Sequence, residues 1–299
     1  MINRANNFYS SLFGDPITVT ILFRYATTAP DGTPLGSGVL AESAFAVSSI
    51  PWGTFLPLLQ ADAKTPADAL ANASITTQLG TNVEATTAND RALGINQPGV
   101  VAPDGTCCTG TFDGIVTLNS GQPFQFDRTG GTAPGSYDAQ RSTEHEIDEI
   151  LGLGSILNIT GGTGNVRPQD LFSWSSAGMR NITTTGTRYF SINGGTSNIV
   201  GFNQIAGGDF GDWFSGPCPQ ATPYVQNAFS CAGQSSDVVS AAPEAVNLDV
   251  IGYDLVTVAA VPAVSPVGVG CLAVLLLVAG VAAAKPRSRR PRRGAATAG

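Results

Sequence analysis

Glycine and proline punctuate this chain more than any other feature: 36 Gly and 19 Pro fall among its 299 residues. Glycine frees the backbone and proline fixes φ and removes a donor, so loops and turns must take a large share of the fold. No Gly-X-Y period accompanies them, which excludes a collagen helix. A hydrophobic content of 42% is enough for a real core, which excludes wholesale disorder. Between the punctuation, residues 17–25 (ITVTILFRY) alternate β-branched and polar residues and predict a strand. Residues 44–50, 83–87, 115–118 and 188–192 predict further strands. Helical spacing runs over 52–63, and Pro66 with Asp68 opens a second helix to about residue 75. The clearest helix spans 137–151 and should close at Gly152 in a left-handed cap. Residues 248–255 close the domain. There is no fixed-period repeat and no βαβ rhythm, so the expected class is α+β.

Charge is distributed unevenly. Six of the 15 basic residues lie after Ala284, leaving nine basic against all 22 acidic residues before it, a net charge of −13. A domain that acidic repels a phosphate backbone, so nucleic acid is excluded as the main partner. Residues 264–284 (VSPVGVGCLAVLLLVAGVAAA) carry no charge over a length that crosses a hydrocarbon core, and the Arg-rich flank would fix the cytoplasmic end. The expected organisation is a domain over 1–258, a linker over 259–263, a membrane or sorting helix over 264–284 and a basic cytoplasmic tail over 285–299. That places the acidic domain outside, in the cell envelope or released from it. Residues after Met1 form no apolar signal region, so the expectation is that the true start lies upstream and a signal peptide precedes it.

The Pro-containing entry Val261-Pro262-Ala263, the apolar span and the Arg-rich end resemble the PEP-CTERM-type sorting tails of bacterial exported proteins, without the Glu of the usual Pro-Glu-Pro. The resemblance implies recognition, and cleavage, by an exosortase-like enzyme; a plain membrane anchor is the alternative. Cys218 and Cys231 share a Gly/Pro-rich loop and could close a short disulfide, which fits export. Cys107 and Cys108 are adjacent, so a pair between them would be strained. No CxxC spacing exists, which argues against a cysteine zinc site.

The only histidine stands in Glu144-His145-Glu146-Ile147-Asp148-Glu149-Ile150-Leu151-Gly152. At 100° per residue Ile147, Ile150 and Leu151 make a core stripe, while His145 and Glu149 share the opposite side with Glu146 beside them. This matches what an HExxH helix achieves: two ligands one turn apart and a glutamate to take a proton from water. Here Glu149 replaces the second histidine, and its oxygen can also ligate zinc. As a plain amphipathic helix, the same segment would carry an acidic outer face and one incidental histidine.

The order HEIDEILGLGS (145–155), RYFSINGGT (188–196), GGDFGDW (207–213), VQNAF (225–229) and LDVIGYDL (248–255) resembles exported bacterial zincin metalloproteases. These share with leishmanolysin-like enzymes an HExxHALG helix and a distant third ligand in a His-Trp pair. The resemblance covers about residues 15–255, its specific motifs all after residue 140. It implies a zincin-like domain with a mixed sheet over the active-site helix and a loop-rich C-terminal half. It also implies His145, Glu149 and Asp212 as metal ligands, Asp212-Trp213 standing where the His-Trp pair would be, and Glu146 as general base. A shorter-spaced alternative puts Ser155, a poor zinc ligand, in the third place. The family's methionine turn falls near Val225-Gln226, where no methionine stands, and Met179 is not assigned that role.

The implied cofactor is zinc, with manganese or iron tolerated by so carboxylate-rich a ligand set. The implied activity is hydrolysis of peptide bonds in a protein or peptide substrate by a surface-anchored or secreted metallopeptidase. The alternative is a non-catalytic envelope protein on a degenerate zincin scaffold. Residues 112–118 are the expected edge strand for a peptide substrate. Tyr253 is weighed as an oxyanion donor against a packing role. Asp170 is weighed as a ligand or its supporting partner against a helix N-cap, and Asp209 as a loop residue. Asp104, Asp113 and Asp127 are read as solvated turn residues rather than calcium ligands.

Overall fold

The computed structural model describes residues 1–158 and 164–256. In chain order the elements are α1 (Ile2–Leu12), β1 (Ile21–Ala26), β2 (Ala41–Phe45), β3 (Val47–Pro51), α2 (Trp52–Asp62), α3 (Pro66–Ser74), β4 (Asn82–Thr86), α4 (Thr87–Ala92), β5 (Gly114–Asn119), β6 (Phe124–Gln125), β7 (Tyr137–Asp138), α5 (Ala139–Leu151), β8 (Ser173–Ser176), β9 (Met179–Arg180), β10 (Tyr189–Phe190), β11 (Val200–Gly201) and α6 (Pro243–Val250). A 3-10 turn, Pro168–Phe172, leads into β8.

The described residues form four small sheets. The first is three-stranded in the order β1-β5-β2, with β5 parallel to β1 and antiparallel to β2; Ser43 pairs with Val116 and Phe23 pairs with Val116 from the other side. β3 pairs antiparallel with β4, β6 parallel with β7, and β8–β11 make a four-stranded antiparallel sheet. Every residue of β5 is buried, because it is covered by a strand on each side and by α5 on one face. Gly114 permits that approach: a Cβ there would lie 2.5 Å from Ile150 Cγ1 on α5. The main core joins Ile147, Ile150 and Leu151 of α5 to Val116, Leu171, Phe190 and Trp213. Each such aliphatic side chain contributes about 1.5–3 kcal/mol on burial.

Local chemistry explains the helix ends. Thr65 and Asp68 cap α3 reciprocally, Thr86 accepts from Asn89 N–H at the start of α4, and Asp138 accepts from Gln140 N–H at the start of α5. α5 ends at Gly152, as its sequence predicts.

The architecture corrects the expected fold class. In place of an α+β zincin-like domain with a C-terminal transmembrane helix, the chain forms a mixed α/β fold with small sheets. Among the described residues no helix is long and apolar enough to cross a membrane. The dense Gly and Pro explain the small sheets: β6, β9, β10 and β11 are two residues long before irregular backbone follows, and β7, also two residues long, runs straight into α5. The linker, span and tail expected over 259–299 lie outside the described residues.

Smaller expectations also shift. The strand foreseen over 44–50 is two strands, broken at Ala46. β5 is the middle strand of its sheet, so residues 112–118 offer no free edge; the outer strands are β1 and β2. α1 was not foreseen, since the residues after Met1 read as polar; Tyr9 secures it by donating to Glu144 O at 2.8 Å and Asp148 Oδ1 at 2.7 Å. Cys218 pairs with Cys231, and Cys107 pairs with its neighbour Cys108, a bond the adjacency argued against.

Candidate metal centre

α5 sorts its acids onto separate faces. Glu144 accepts from Gln140 Nε2 at 2.7 Å and Val238 N–H at 2.9 Å, and Asp148 accepts from Tyr9. These two carboxyls anchor the helix to its surroundings, and burial raises both, Glu144 to about 7. The acidic outer face of a plain amphipathic helix is absent: Glu144, Glu146, Asp148 and Glu149 are all buried.

The third face, with His145, Glu146 and Glu149, opens into a cleft of about 690 Å³ whose opposite walls include β2 and the loop carrying Asp209 and Asp212. That volume is in the range of small-molecule and peptide sites. Asp212 reaches the helix because its loop packs tightly on the turn after α5. A Cβ at Gly211 would lie 2.5 Å from Gly154 Cα, and Gln169 Nε2 holds Gly211 O at 2.8 Å. Asp212 then sits 3.6 Å from His145 Nε2 through Oδ2, and Glu149 Oε1 lies 3.8 Å from the same nitrogen. One ligand atom from each of the three residues falls within 4.8 Å of the others, and the group could hold a metal ion.

The hydrogen bonds behind the ligands suit that use. His145 Nδ1 lies 3.1 Å from Val225 O. A carbonyl only accepts, so Nδ1 donates there, and Nε2 is the ring nitrogen that faces the two carboxylates. Glu149 Oε2 accepts from Ser43 Oγ at 2.5 Å, and Asp212 Oδ1 accepts from Gln226 Nε2 at 2.9 Å, leaving Oε1 and Oδ2 toward the imidazole. Such partners fix a ligand's orientation.

The electrostatics are unfavourable without a cation. Burial pushes the Glu146 carboxyl well above the usual range, followed by the charges of Glu149, Asp212 and Asp209. Asp212 is raised by burial and then by Glu149 and Asp209. Asp209 belongs to an exposed residue position, yet its carboxyl turns inward to Glu149, and burial plus that charge push it up to about 7. Carboxyls in contact need a proton or a cation between them. The donor set therefore fits a divalent ion.

The other candidates lie elsewhere. Asp170 is structural: it accepts from Ile156 N–H, Arg167 N–H and Ser155 Oγ, which also occupies Ser155. Tyr253 packs, donating to Leu151 O at 2.7 Å and meeting Phe13 edge-on. Met179 is exposed on β9. Asp104 and Asp127 close turns onto Thr106 and Thr129, whereas Asp113 is buried against Arg91 rather than solvated. Ser43, Gln226 and the inward turn of Asp209 had no signal in the sequence. Ser43 is 106 positions from its partner, and the 225–226 region stands out in the sequence only for its missing methionine. Compared with known protein families, curated proteins and solved structures, the chain matches none.

Proposed function

We propose that the chain is a metal-dependent hydrolase of peptide bonds, with His145, Glu149 and Asp212 as ligands and Glu146 as general base. The observation that carries this reading is the convergence of His145 Nε2 with Glu149 Oε1 and Asp212 Oδ2 in a cleft bordered by an outer strand. A divalent cation, zinc first and manganese or iron as harder alternatives, would supply a Lewis acid and a water acidic enough to attack a carbonyl. Glu146 follows His145 directly and contacts Glu149, so its carboxylate can take the water's proton and return it to the leaving amine. Its raised affinity for a proton suits a group that must hold one between those steps. β2 is the outer strand on the cleft side, and residues 38–43 line the cleft, so an extended peptide can add to that edge and lie across the site. Two anionic ligands neutralise much of the ion's charge, which makes for a weaker Lewis acid than three imidazoles. The two disulfides support an exported protein in an oxidising compartment.

The test is elemental mass spectrometry of the full chain beside Glu149→Ala and Asp212→Ala. Near-stoichiometric metal in the wild type, lost in both variants, is expected. Glu146→Gln should keep the metal and abolish cleavage of a quenched fluorogenic peptide. A metal-free wild type with equally stable variants would overturn the reading and favour a non-catalytic envelope protein.

A further inference from the structure

One short stretch of backbone and side chain supports two of the three ligands. Val225 O accepts from His145, and Gln226 Nε2 donates to Asp212. The stretch is itself anchored on several sides. Arg141, one turn before His145 on α5, donates to Tyr224 O at 2.7 Å. Val225 N–H donates to Glu244 Oε1 at 3.1 Å, and Trp213 N–H donates to Gln226 O at 2.8 Å. Trp213 is fully buried and stacks on Phe190, so the Asp212-Trp213 pair and the Gln226 backbone move as one unit.

Gln226 is 1% exposed, and its Oε1 has no hydrogen-bond partner among the described residues. An unsatisfied buried acceptor destabilises the fold, so something must hold the amide in this orientation. Turning the amide over would place Oε1 against the Asp212 carboxylate, acceptor on acceptor, so only the observed orientation gives Asp212 a donor. The residue types are matched in a way that spacing alone does not require. A carboxylate ligand needs a donor behind it, whereas an imidazole ligand needs an acceptor. Position 226 supplies a donor where position 212 is a carboxylate.

Building on the metal-centre reading, we propose that Gln226 is the positioning residue of the site: it ties back Asp212 Oδ1 so that Oδ2 alone faces His145 Nε2. Asp212 then ligates through one oxygen in a fixed direction.

The test is zinc binding to the full chain at pH 7, by calorimetry with zinc alone as the probe. Gln226→Leu should weaken zinc roughly 10–100-fold. Gln226→Met keeps the length of the side chain without its donor. It should show the same deficit, so the answer survives if the leucine variant fails to fold. Gln226→His, which can still donate, should recover part of the affinity. A purely structural role would leave Gln226→His no tighter than Gln226→Leu, and that result, or unchanged affinity in both Gln226→Leu and Gln226→Met, would overturn the proposal while leaving the metal centre standing. A wild type that binds no zinc, manganese or iron would overturn the metal-centre reading and this proposal with it.

Discussion

Ser43 Oγ donates to Glu149 Oε2 at 2.5 Å, joining β2, an outer strand of the three-stranded sheet, to a proposed ligand on α5. The bond leaves Glu149 Oε1 toward His145 and couples the strand proposed to carry substrate to the centre proposed to act on it. Removing an outer partner of this kind costs roughly 10–100-fold in metal affinity. Ser43→Ala should therefore weaken zinc binding at least about tenfold, and Ser43→Thr, which keeps the hydroxyl, should bind as the wild type does. Calorimetric titration checks both, and equal affinity in Ser43→Ala would remove Ser43 from the site's support.

Metal affinity should rise steeply with pH. Without the ion, Glu146, Asp209 and Asp212 hold protons above the usual carboxylate range, Asp209 to about 7. Binding must displace those protons, so affinity climbs by about tenfold per pH unit for each proton released and levels off once the groups are ionised. The proton count comes from calorimetry in buffers of different ionisation enthalpy. Asp209→Asn should lower that count and flatten the curve near pH 7. A pH-independent affinity between pH 5 and pH 8 would contradict the carboxyl contacts.

The Arg91–Asp113 pair should matter to stability and not to metal. Arg91 Nη2 reaches both Asp113 oxygens at 2.8 Å, and Asp113 is 2% exposed, with Thr20 N–H and Thr87 Oγ1 completing its shell. Arg91→Met would strand a buried carboxylate, at a cost of about 3–5 kcal/mol, or a fall in Tm of roughly 10 °C for a domain of this size. Arg91→Met with Asp113→Leu should recover part of the loss, because no charge is then left unpaired. Thermal unfolding of the three variants decides it, and a double variant no better than Arg91→Met would show that the loss is of packing instead.

What the sequence made legible was what periodicity and spacing encode. α2 and α3 fall within about a residue of their predicted bounds, and α5 starts two residues later than predicted, because each has an N-terminal cap or proline and an apolar stripe to mark it. His145, Glu146 and Glu149 share a face because helical spacing requires it. Asp212, 63 to 67 positions away in sequence, came only from a resemblance, and what brings it in is the close packing of Gly211 on Gly154. Sheet order was not legible: nothing in residues 112–118 says that β1 and β2 will flank them, so the expectation of an edge strand there fails. Nor was the burial of Glu144 and Asp148. A carboxylate reads as a solvated residue until the tyrosine, glutamine or backbone N–H that satisfies it is placed in space, and those partners come from residues 9, 140 and 238.

Asp249 offers a stability test away from the metal centre. It lies near the C-terminal end of α6, where the helix dipole already disfavours negative charge. It is 2% exposed, accepting from Thr65 Oγ1 at 2.8 Å and Leu255 N–H at 3.2 Å. Burial, and then the nearby Asp68 and Asp254 charges, push its pKa up to about 7, against about 3.9 in an unfolded chain. Between those values the folded form keeps a proton that the unfolded form has lost, so stability falls as pH rises, by at most about 1.4 kcal/mol per unit. Below pH 4 and above pH 8 this group contributes no slope. Asp249→Asn keeps both hydrogen bonds, its oxygen accepting from Leu255 and its amide donating to Thr65, and carries no charge. Urea unfolding from pH 4 to pH 8 should show a shallower decline for the variant, with the two proteins closest at pH 4 and the variant more stable at pH 8. Parallel curves would mean that Asp249 ionises in the folded protein as readily as in the unfolded one, and that the stability lost toward neutral pH comes from Glu144 and the carboxyls of the cleft.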